Sequence, residues 1–303
     1  MKLSNIKLIG ILVALVAIYG VIQLTGGKKK SKSLRSELVE IDTAKVTAIN
    51  IESKAGIVEL TKKGTDWELK LANGKVVPAT QASVSNTLGA LLTIKPSRMA
   101  TKNESNWKDY QVDSTGTRIK VIEGSETTLD LVIGRFGMQG QRNYHTFVRL
   151  FEDKEVYAAN NFMSFSVSAE PSSYRNKTLA RMNKDSLINI NFSYPADSSV
   201  QLSKNGDQWM ANGQPADSTN VAKYISGLNY VTGNTFVDDQ SGLTVPVISA
   251  SFQFSNGNDI TIEGYKSDSV WVFHSSENEI GYFSDEALLS KVFKGMSEFV
   301  PKK

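Results

Sequence analysis

Hydrophobic and polar residues alternate in two stretches of the chain that share one pattern. Residues 58–67 read Val-Glu-Leu-Thr-Lys-Lys-Gly-Thr-Asp-Trp, and residues 200–209 read Val-Gln-Leu-Ser-Lys-Asn-Gly-Asp-Gln-Trp. The period of two predicts a strand on each side of a tight turn, with Gly64 and Gly206 where a hairpin needs a positive φ. Such a recurrence far along the chain indicates a duplicated structural unit.

Further elements are predicted at matching positions of the two copies. Thr80 and Asp217 are the predicted N-caps of two helices, because each precedes apolar residues at helical spacing. A last helix is predicted from about Asp285. Trp67 and Trp209 occupy equivalent positions, and we expect both to pack in the core. The pattern therefore predicts an α+β fold, in which a module of an antiparallel sheet and a helix is used twice.

A different pattern occupies the start of the chain, where residues 8–24 are apolar and carry no charge. As a helix that rises about 1.5 Å per residue, this run would reach roughly 26 Å, enough for a bilayer core. A cleaved signal peptide is the alternative, but a Lys-rich stretch follows where a small-residue cleavage site should lie. The predicted parts are an N-terminal transmembrane anchor, a basic linker and two α+β repeats, at residues 1–27, 28–36, 37–185 and 186–303.

Composition narrows the possible partners and chemistry. The 303 residues include 34 Lys and Arg and 31 Asp and Glu, for a formal net charge of +3. Seven of the basic residues and no acidic residue lie in residues 1–35, which leaves 27 basic (34 − 7) against 31 acidic residues in the rest. Nucleic acid is therefore not an expected partner. The absence of cysteine excludes disulfides, thiolate metal sites and a thiol nucleophile.

No residue pattern points to a catalytic, cofactor or metal site. His145 and His274 fall in predicted strands, outside any metal-ligand spacing. The glycine-dense segment 134–141 lacks the spacing of a phosphate-binding loop, and it is predicted to be a flexible loop between strands. We therefore expect that the protein is not an enzyme and binds no cofactor. A glycosidase-like pair of carboxylates distant in sequence stays open as an alternative.

Four residues are candidate contacts for a partner or ligand. Trp107 lies in the polar segment 103–109 and is the better tryptophan for stacking on a sugar or a peptide. Tyr174, Arg175 and Lys177 lie between the two copies. They form either a polar hinge that pairs with local carboxylates or a contact for a partner protein in the groove between the copies.

The order of these motifs resembles that of the bacterial membrane-anchored proteins grouped as domain of unknown function 4340. That family has a Lys-x-Gly-x-x-Trp hairpin, a capped helix, an Ile-Gly pair, a Val-Tyr strand and a Tyr-Arg-x-Lys-x-Leu segment between the copies. The matching residues are Trp67 and Trp209, Thr80 and Asp217, Ile133-Gly134, Val156-Tyr157 and 174–179. The family also has a Tyr/Gly-Leu-Asp-x-Pro-like segment. Residues 110–114, Tyr-Gln-Val-Asp-Ser, depart from it, because they lack its Gly and Pro.

The resemblance implies a location and a partner but no established activity. Lysines after the apolar run favour a cytoplasmic C-terminal domain, whereas long domains translocate with limited regard to charge. The resemblance implies a single-pass protein of the inner membrane with its folded domain outside the cytoplasm. It also implies, as partners, the permease and auxiliary protein of a gliding-motility-type ABC transporter. The expected function is a non-catalytic accessory subunit anchored in the lipid bilayer through residues 8–24. A glycan- or peptide-binding envelope protein, or an envelope hydrolase, is the alternative.

Overall fold

The computed structural model describes residues 37–139, 143–267 and 269–300. The predicted anchor and the predicted basic linker, residues 1–27 and 28–36, lie outside these residues. Within the described ranges, no helix is long and apolar enough to cross a membrane.

Antiparallel sheets dominate the described part of the chain, in which 46% of residues are in strands and 19% in helices. The predicted α+β class is therefore wrong, and the described residues form a mainly β fold. The reason is that each hydrophobic hairpin extends into a sheet of eight or nine strands. Each of these sheets has one helix of ten or more residues among the described residues.

Nine strands form the first sheet. They are β1 Val46–Ser53, β2 Gly56–Lys63, β3 Asp66–Lys70, β4 Val76–Ala79, β5 Pro96–Thr101, β6 Thr117–Glu123, β7 Glu126–Gln139, β8 Asn143–Leu150 and β9 Val156–Asn160. Their order is β4-β3-β2-β1-β6-β7-β8-β9-β5, and every neighbouring pair is antiparallel.

Ten further strands follow in the described residues. They are β10 Thr178–Arg181, β11 Leu187–Ser193, β12 Val200–Asn205, β13 Gln208–Ala211, β14 Gln214–Pro215, β15 Tyr230–Thr232, β16 Ile248–Phe254, β17 Ile260–Ser267, β18 Val270–Ser275 and β19 Asn278–Phe283. The second sheet has the order β14-β13-β12-β11-β16-β17-β18-β19, which repeats the first sheet without its last strand. The strand that matches β5 is β15, and it pairs with β10 instead.

Four α-helices lie in the described ranges. They are α1 Gln81–Leu92, α2 Trp107–Tyr110, α3 Ser218–Gly227 and α4 Glu286–Val292. The N-cap residues of α1 and α3 are the predicted Thr80 and Asp217. The N-cap of α4 is Asp285, where the sequence predicts the last helix to begin. The buried faces of α1 and α3 belong to the cores of the first and second sheets respectively.

The duplication extends to the pairing of individual residues. Ile49 in β1 and Ile190 in β11 are matching central positions, and both are fully buried. Their cross-strand partners are Leu60 and Val121 in the first sheet, and Leu202 and Phe252 in the second. Because a slip of one residue would turn these side chains to solvent, the shared register shows that both copies bury the same face.

The two hairpin turns have the predicted backbone conformation. Gly64 and Gly206 have φ values of +63° and +62°, in the region that favours glycine. Trp67 follows the first turn and is only 3% exposed. Trp209 follows the second turn and is half-buried, in contact with the core of the second sheet. The two tryptophans therefore share a position but not a degree of burial.

Each large sheet has its own hydrophobic core. The core of the first sheet includes residues from Leu38 to Tyr174, and that of the second includes residues from Leu179 to Phe299. Core membership therefore changes between Tyr174 and Leu179, before the boundary that the sequence pattern predicts at residue 185. Leu179 in β10 precedes the second sheet as Leu38 precedes the first.

Candidate functional site

A groove with a volume of about 480 Å³ lies where the two copies meet. Three parts of the chain line it: residues 71–73 between β3 and β4, residues 171–175 between the copies, and residues 234–238 after β15. The groove therefore combines residues from both copies with the segment that joins them.

Arg175 joins the two copies at this groove. Its side chain is only 6% exposed, and its Nη2 donates a hydrogen bond of 2.7 Å to Oδ1 of Asp238. The guanidinium carbon lies 3.7 Å from the centre of the Phe236 ring, a cation–π geometry. That ring in turn contacts Phe283 in the second core, at 4.8 Å between centroids. Arg175 therefore connects the joining segment to the second sheet.

Asp238 also contacts the first copy. The Nζ of Lys75, between β3 and β4, donates a hydrogen bond of 3.2 Å to the main-chain oxygen of Asp238. The residue is thus held from both sides of the groove. Loss of either charged member of the Arg175–Asp238 pair would leave the other charge poorly solvated.

Tyr174 and Lys177, the other candidates between the copies, have different positions. Tyr174 is 1% exposed, and its hydroxyl donates to the main-chain oxygen of Ser168 at 3.0 Å and shares a hydrogen bond with Thr87. Burial raises the pKa of this phenol. The Tyr174 side chain is therefore part of the first core and does not face a partner. Lys177 is half-buried, and its main-chain oxygen accepts from Gly233 at 3.0 Å.

A second cavity, of about 570 Å³, lies beside Trp107 on the outer face of the first sheet. Trp107 is half-buried, and its indole N–H donates to the main-chain oxygen of Lys154 at 3.2 Å. The guanidinium carbon of Arg149 lies 3.8 Å from the ring centre. Both the polar edge and one face of the indole are therefore occupied.

Arg149 is a buried cation, only 4% exposed, that contacts main-chain oxygens. Its Nε and Nη2 donate to Val112 at 3.1 and 3.0 Å. Its Nη1 donates to three carbonyl oxygens at the end of β8 and just after it, those of Leu150, Phe151 and Asp153. Burial lowers the pKa of Arg149, and the carbonyl oxygens replace the lost water. The residue ties the segment after α2 to the sheet.

Arg118 lies in the same cavity. Its Nε and Nη2 donate to the two carboxylate oxygens of Asp130 at 2.8 and 2.6 Å. Its guanidinium carbon is 3.1 Å from the centre of the Phe151 ring. The bond to Asp130 raises the pKa of Arg118. This bidentate pair holds the guanidinium plane in one orientation.

The two histidines lie in strands, His145 in β8 and His274 in β18. His274 stacks on Tyr282 at 4.3 Å between ring centroids, and its Nδ1 is 3.6 Å from the carboxylate of Glu263. The hydroxyl of Tyr265 donates to that carboxylate at 2.6 Å. Burial is the main cause that raises the pKa of Tyr265, and the bond to Glu263 raises it further. In the described ranges, no three His, Asp or Glu side chains converge as metal ligands.

The glycine-dense segment is not a loop between Gly134 and Gln139, because these residues continue β7. The prediction of a flexible loop is wrong there, and residues 140–142 lie outside the described ranges. The strand continues through a register shift between Ile133 and Phe136, which local composition does not reveal.

The duplicated pattern leads to one known family. The profile of the family described as "Domain of unknown function (DUF4340)" matches residues 67–246, more than half of the chain. The chain belongs to this family. Neither the curated proteins nor the solved structures contain a match to it.

The DUF4340 match begins at Trp67 in β3 and ends just before β16, so it includes the segment between the copies. Of the sequence candidates inside it, Arg175 lines the groove and Trp107 lines the cavity, in separate places. Sequence reasoning missed Asp238 as the partner of Arg175, and it missed Arg118 and Arg149. Asp238 lies 63 residues from Arg175, and Arg149 bonds the main chain, so the sequence carried no signal for these two. Arg118 and Asp130 lie only 12 residues apart, on the neighbouring strands β6 and β7, and the bond between them depends on the register of that hairpin.

Proposed function

We propose that this DUF4340 protein is a non-catalytic interaction module of the cell envelope, which binds another envelope protein through the groove between its two copies. The observation that supports this is the pair of the buried Arg175 with the partly exposed Asp238, because it links the joining segment to the second copy. Lys75 adds a contact from the first copy. A groove held in this way has a defined shape before binding, which lowers the entropic cost of association.

The proposed location is the inner membrane, with the folded part outside the cytoplasm and with attachment through the apolar residues 8–24. The proposed partners are the permease and auxiliary protein of a gliding-motility-type ABC transporter, which rests on the family resemblance of the motifs. Attachment to the same membrane would raise the effective concentration of weak contacts between the groove and such a partner.

Affinity purification from membranes tests the proposal. Thr235 is exposed and lines the groove, so Thr235→Arg should obstruct the groove without touching the Arg175–Asp238 pair. Thr127→Arg is the matched control, because Thr127 is exposed near the start of β7. In mild detergent, we expect the native protein and the control to recover a multi-span permease. Thr235→Arg should recover about tenfold less, equivalent to about 1.4 kcal/mol.

Three results would contradict the proposal. The first is that no transporter component is recovered, even after crosslinking in native membranes. The second is that the two arginine variants recover the partner equally. The third is hydrolase turnover by the purified protein that one histidine or carboxylate substitution abolishes, which would contradict the non-catalytic part.

A second candidate function is ligand binding at the cavity beside Trp107. The observation that favours it is the size of the cavity, about 570 Å³, which lies in the range of small-ligand sites. A sugar platform needs an open aromatic face, whereas Arg149 covers one face of Trp107. The other face could hold either ligand, but the cationic lining residues Lys54 and Arg118 favour a peptide carboxylate over a neutral glycan.

A further inference from the structure

The cavity beside Trp107 is built from positions at which the two copies differ. Ile133 in the first sheet lies opposite Thr117 and Val148, and Gly264 in the second lies opposite Ile248 and Phe273. Ile133 and Gly264 therefore occupy matching positions of the two sheets. On the outer face, Gly134 then matches Tyr265, and Arg149 matches His274.

Gly134 allows the chain after α2 to lie against the first sheet. A Cβ at this position would overlap the main-chain oxygen of Tyr110 and contact Val112 at 2.7 Å. In the second sheet Tyr265 fills the matching position with a whole side chain, so no segment can lie there in the same way. Of the two large sheets in the described ranges, the outer face of the first alone therefore has this arrangement.

Arg149 completes the attachment, because it bonds the main chain at both Val112 and the residues after β8. Trp107 is held beside it, and the cavity opens between Trp107, Val132 and Phe151. These three side chains provide an apolar surface. The cavity is thus a feature of one copy, with walls fixed by buried hydrogen bonds.

The charged groups of the cavity have unequal freedom to bind a ligand. The carboxylate of Asp113 accepts from the main chain and hydroxyl of Thr115 at 3.1 and 2.6 Å. Arg118 uses Nε and Nη2 for Asp130, and its Nη1 donates to no other described residue. Lys54 is exposed at the rim, as is Glu52. The available donors are therefore Arg118 Nη1 and Lys54, with Glu52 and Asp113 as competing anions.

We propose that this cavity binds a peptide segment that presents an apolar side chain beside a carboxylate. The apolar side chain packs among Trp107, Val132 and Phe151, and the carboxylate accepts hydrogen bonds from Nη1 of Arg118. Lys54 attracts the same carboxylate from the rim, and Glu52 repels it. The site shares no lining residue with the groove at Arg175. Peptide binding at this site can therefore be tested independently of the partner proposed for the groove.

Saturation-transfer NMR on the full-length protein in detergent tests the site with two matched probes, N-acetylphenylalanine and its amide. The probes differ only in the carboxylate. We expect saturation of the aromatic protons of both, with about tenfold tighter binding of the acid, because a charge-assisted hydrogen bond is stronger than a neutral one.

Two substitutions should move the affinity of the acid in opposite directions. Arg118→Ser introduces the residue that the second copy has at the matching position, Ser249. It should weaken binding of the acid until its affinity equals that of the amide. Glu52→Gln removes one competing charge, so it should strengthen binding of the acid and leave the amide unchanged. Lys54→Ala should also weaken binding of the acid. Because Lys54 is exposed, this variant keeps the test possible if Arg118→Ser fails to fold. Arg181→Ser, in the second copy, is the control that should change neither probe.

Equal affinity of the acid and the amide would overturn the proposal, as would a response to Glu52→Gln in the wrong direction. Saturation of an N-acetylglucosamine trimer in place of both phenylalanine probes would assign the cavity to a glycan instead. Absence of saturation up to the solubility limit of the acid would also overturn the proposal. None of these results depends on recovery of a transporter component, so the two proposals can fail separately.

Discussion

At the residue scale, equivalent positions of the two copies have acquired different environments. Trp67 and Trp209 follow matching turns and pair with matching lysines across the hairpin, Lys62 and Lys204. Trp67 is almost fully buried, whereas Trp209 is half-buried at the edge of its core. Burial depends on how the surrounding elements pack, so the same motif does not guarantee the same contribution to stability.

This difference predicts unequal effects of two substitutions. Trp67→Ala should lower the free energy of unfolding by about 3–5 kcal/mol, because it removes a large buried side chain and leaves a cavity. Trp209→Ala should cost clearly less, since water already reaches part of its ring. Chemical denaturation of the two variants checks this order. Equal losses, or a larger loss for Trp209→Ala, would contradict the burial of the two rings.

At the element scale, the N-caps of the two matching helices use different bonds. The carboxylate of Asp217 accepts from the main-chain N–H groups of Thr219 and Asn220 at 2.9 and 3.0 Å. The hydroxyl of Thr80 instead donates to the hydroxyl of Ser83 at 2.8 Å. Only Asp217 satisfies main-chain donors that the first helical turn leaves free.

The first element-scale prediction therefore concerns these caps. Asp217→Ala should lower the free energy of unfolding by about 1 kcal/mol, the usual cost of losing a capping side chain. Thr80→Ala should cost less, because its hydroxyl bonds no main-chain N–H group. Thermal or urea unfolding of both variants measures the difference. A loss for Thr80→Ala that exceeds that for Asp217→Ala would show that the caps work in another way.

The same caps also show how each copy is closed. The main-chain N–H of Thr80 donates to the oxygen of Tyr174 at 2.7 Å, and that of Asp217 donates to the oxygen of Phe299 at 2.8 Å. Tyr174 and Phe299 are both 1% exposed. The segment after each sheet therefore returns to the start of its helix and places an aromatic ring in its core.

At the scale of the whole molecule, the second copy depends on an aromatic cluster around Phe299. Tyr224 packs on Phe299 at 5.4 Å, and Phe192 stacks between Tyr194 and Phe299. The two phenols donate to main-chain oxygens near the end of α4, Tyr224 to Val292 at 2.6 Å and Tyr194 to Lys294 at 2.8 Å. Burial raises the pKa of Tyr194 to about 12 and that of Tyr224 well above its usual value.

These raised pKa values predict alkaline destabilisation. An unfolded tyrosine loses its proton near pH 10, whereas the folded phenols keep theirs, so the unfolded state binds fewer protons above that pH. The free energy of unfolding should therefore be unaffected by these groups below about pH 10 and fall between about pH 10 and about pH 12. Urea unfolding at about pH 9 and about pH 11 measures the fall.

Tyr194→Phe and Tyr224→Phe should each reduce this fall, although each also loses a hydrogen bond at neutral pH. The comparison is therefore the change between the two pH values within each variant. Tyr230→Phe is the control, because Tyr230 is 52% exposed. The same fall in all variants would show that other groups cause the alkaline loss.

The local pattern of the chain determined the repeated hairpins, their glycine turns and the N-caps of the helices. Alternation with a period of two and helical spacing act over a few residues, so they can be read without knowledge of the fold. The place of Arg175 between the copies also follows from the sequence alone. The family resemblance rests on this order of local motifs.

Tertiary structure alone decided the size of the sheets, the β10–β15 pair and both candidate sites. The number of strands in a sheet depends on pairing between distant parts of the chain. The predicted α+β class was wrong because local helical spacing does not indicate how many strands will pair. Arg175 meets Asp238, and Arg149 meets Val112, across long stretches of chain. Gly134 and Tyr265 decide whether a segment can lie on a sheet, through steric overlap that depends on a one-residue register. No local pattern encodes that register, because it is set by packing between strands.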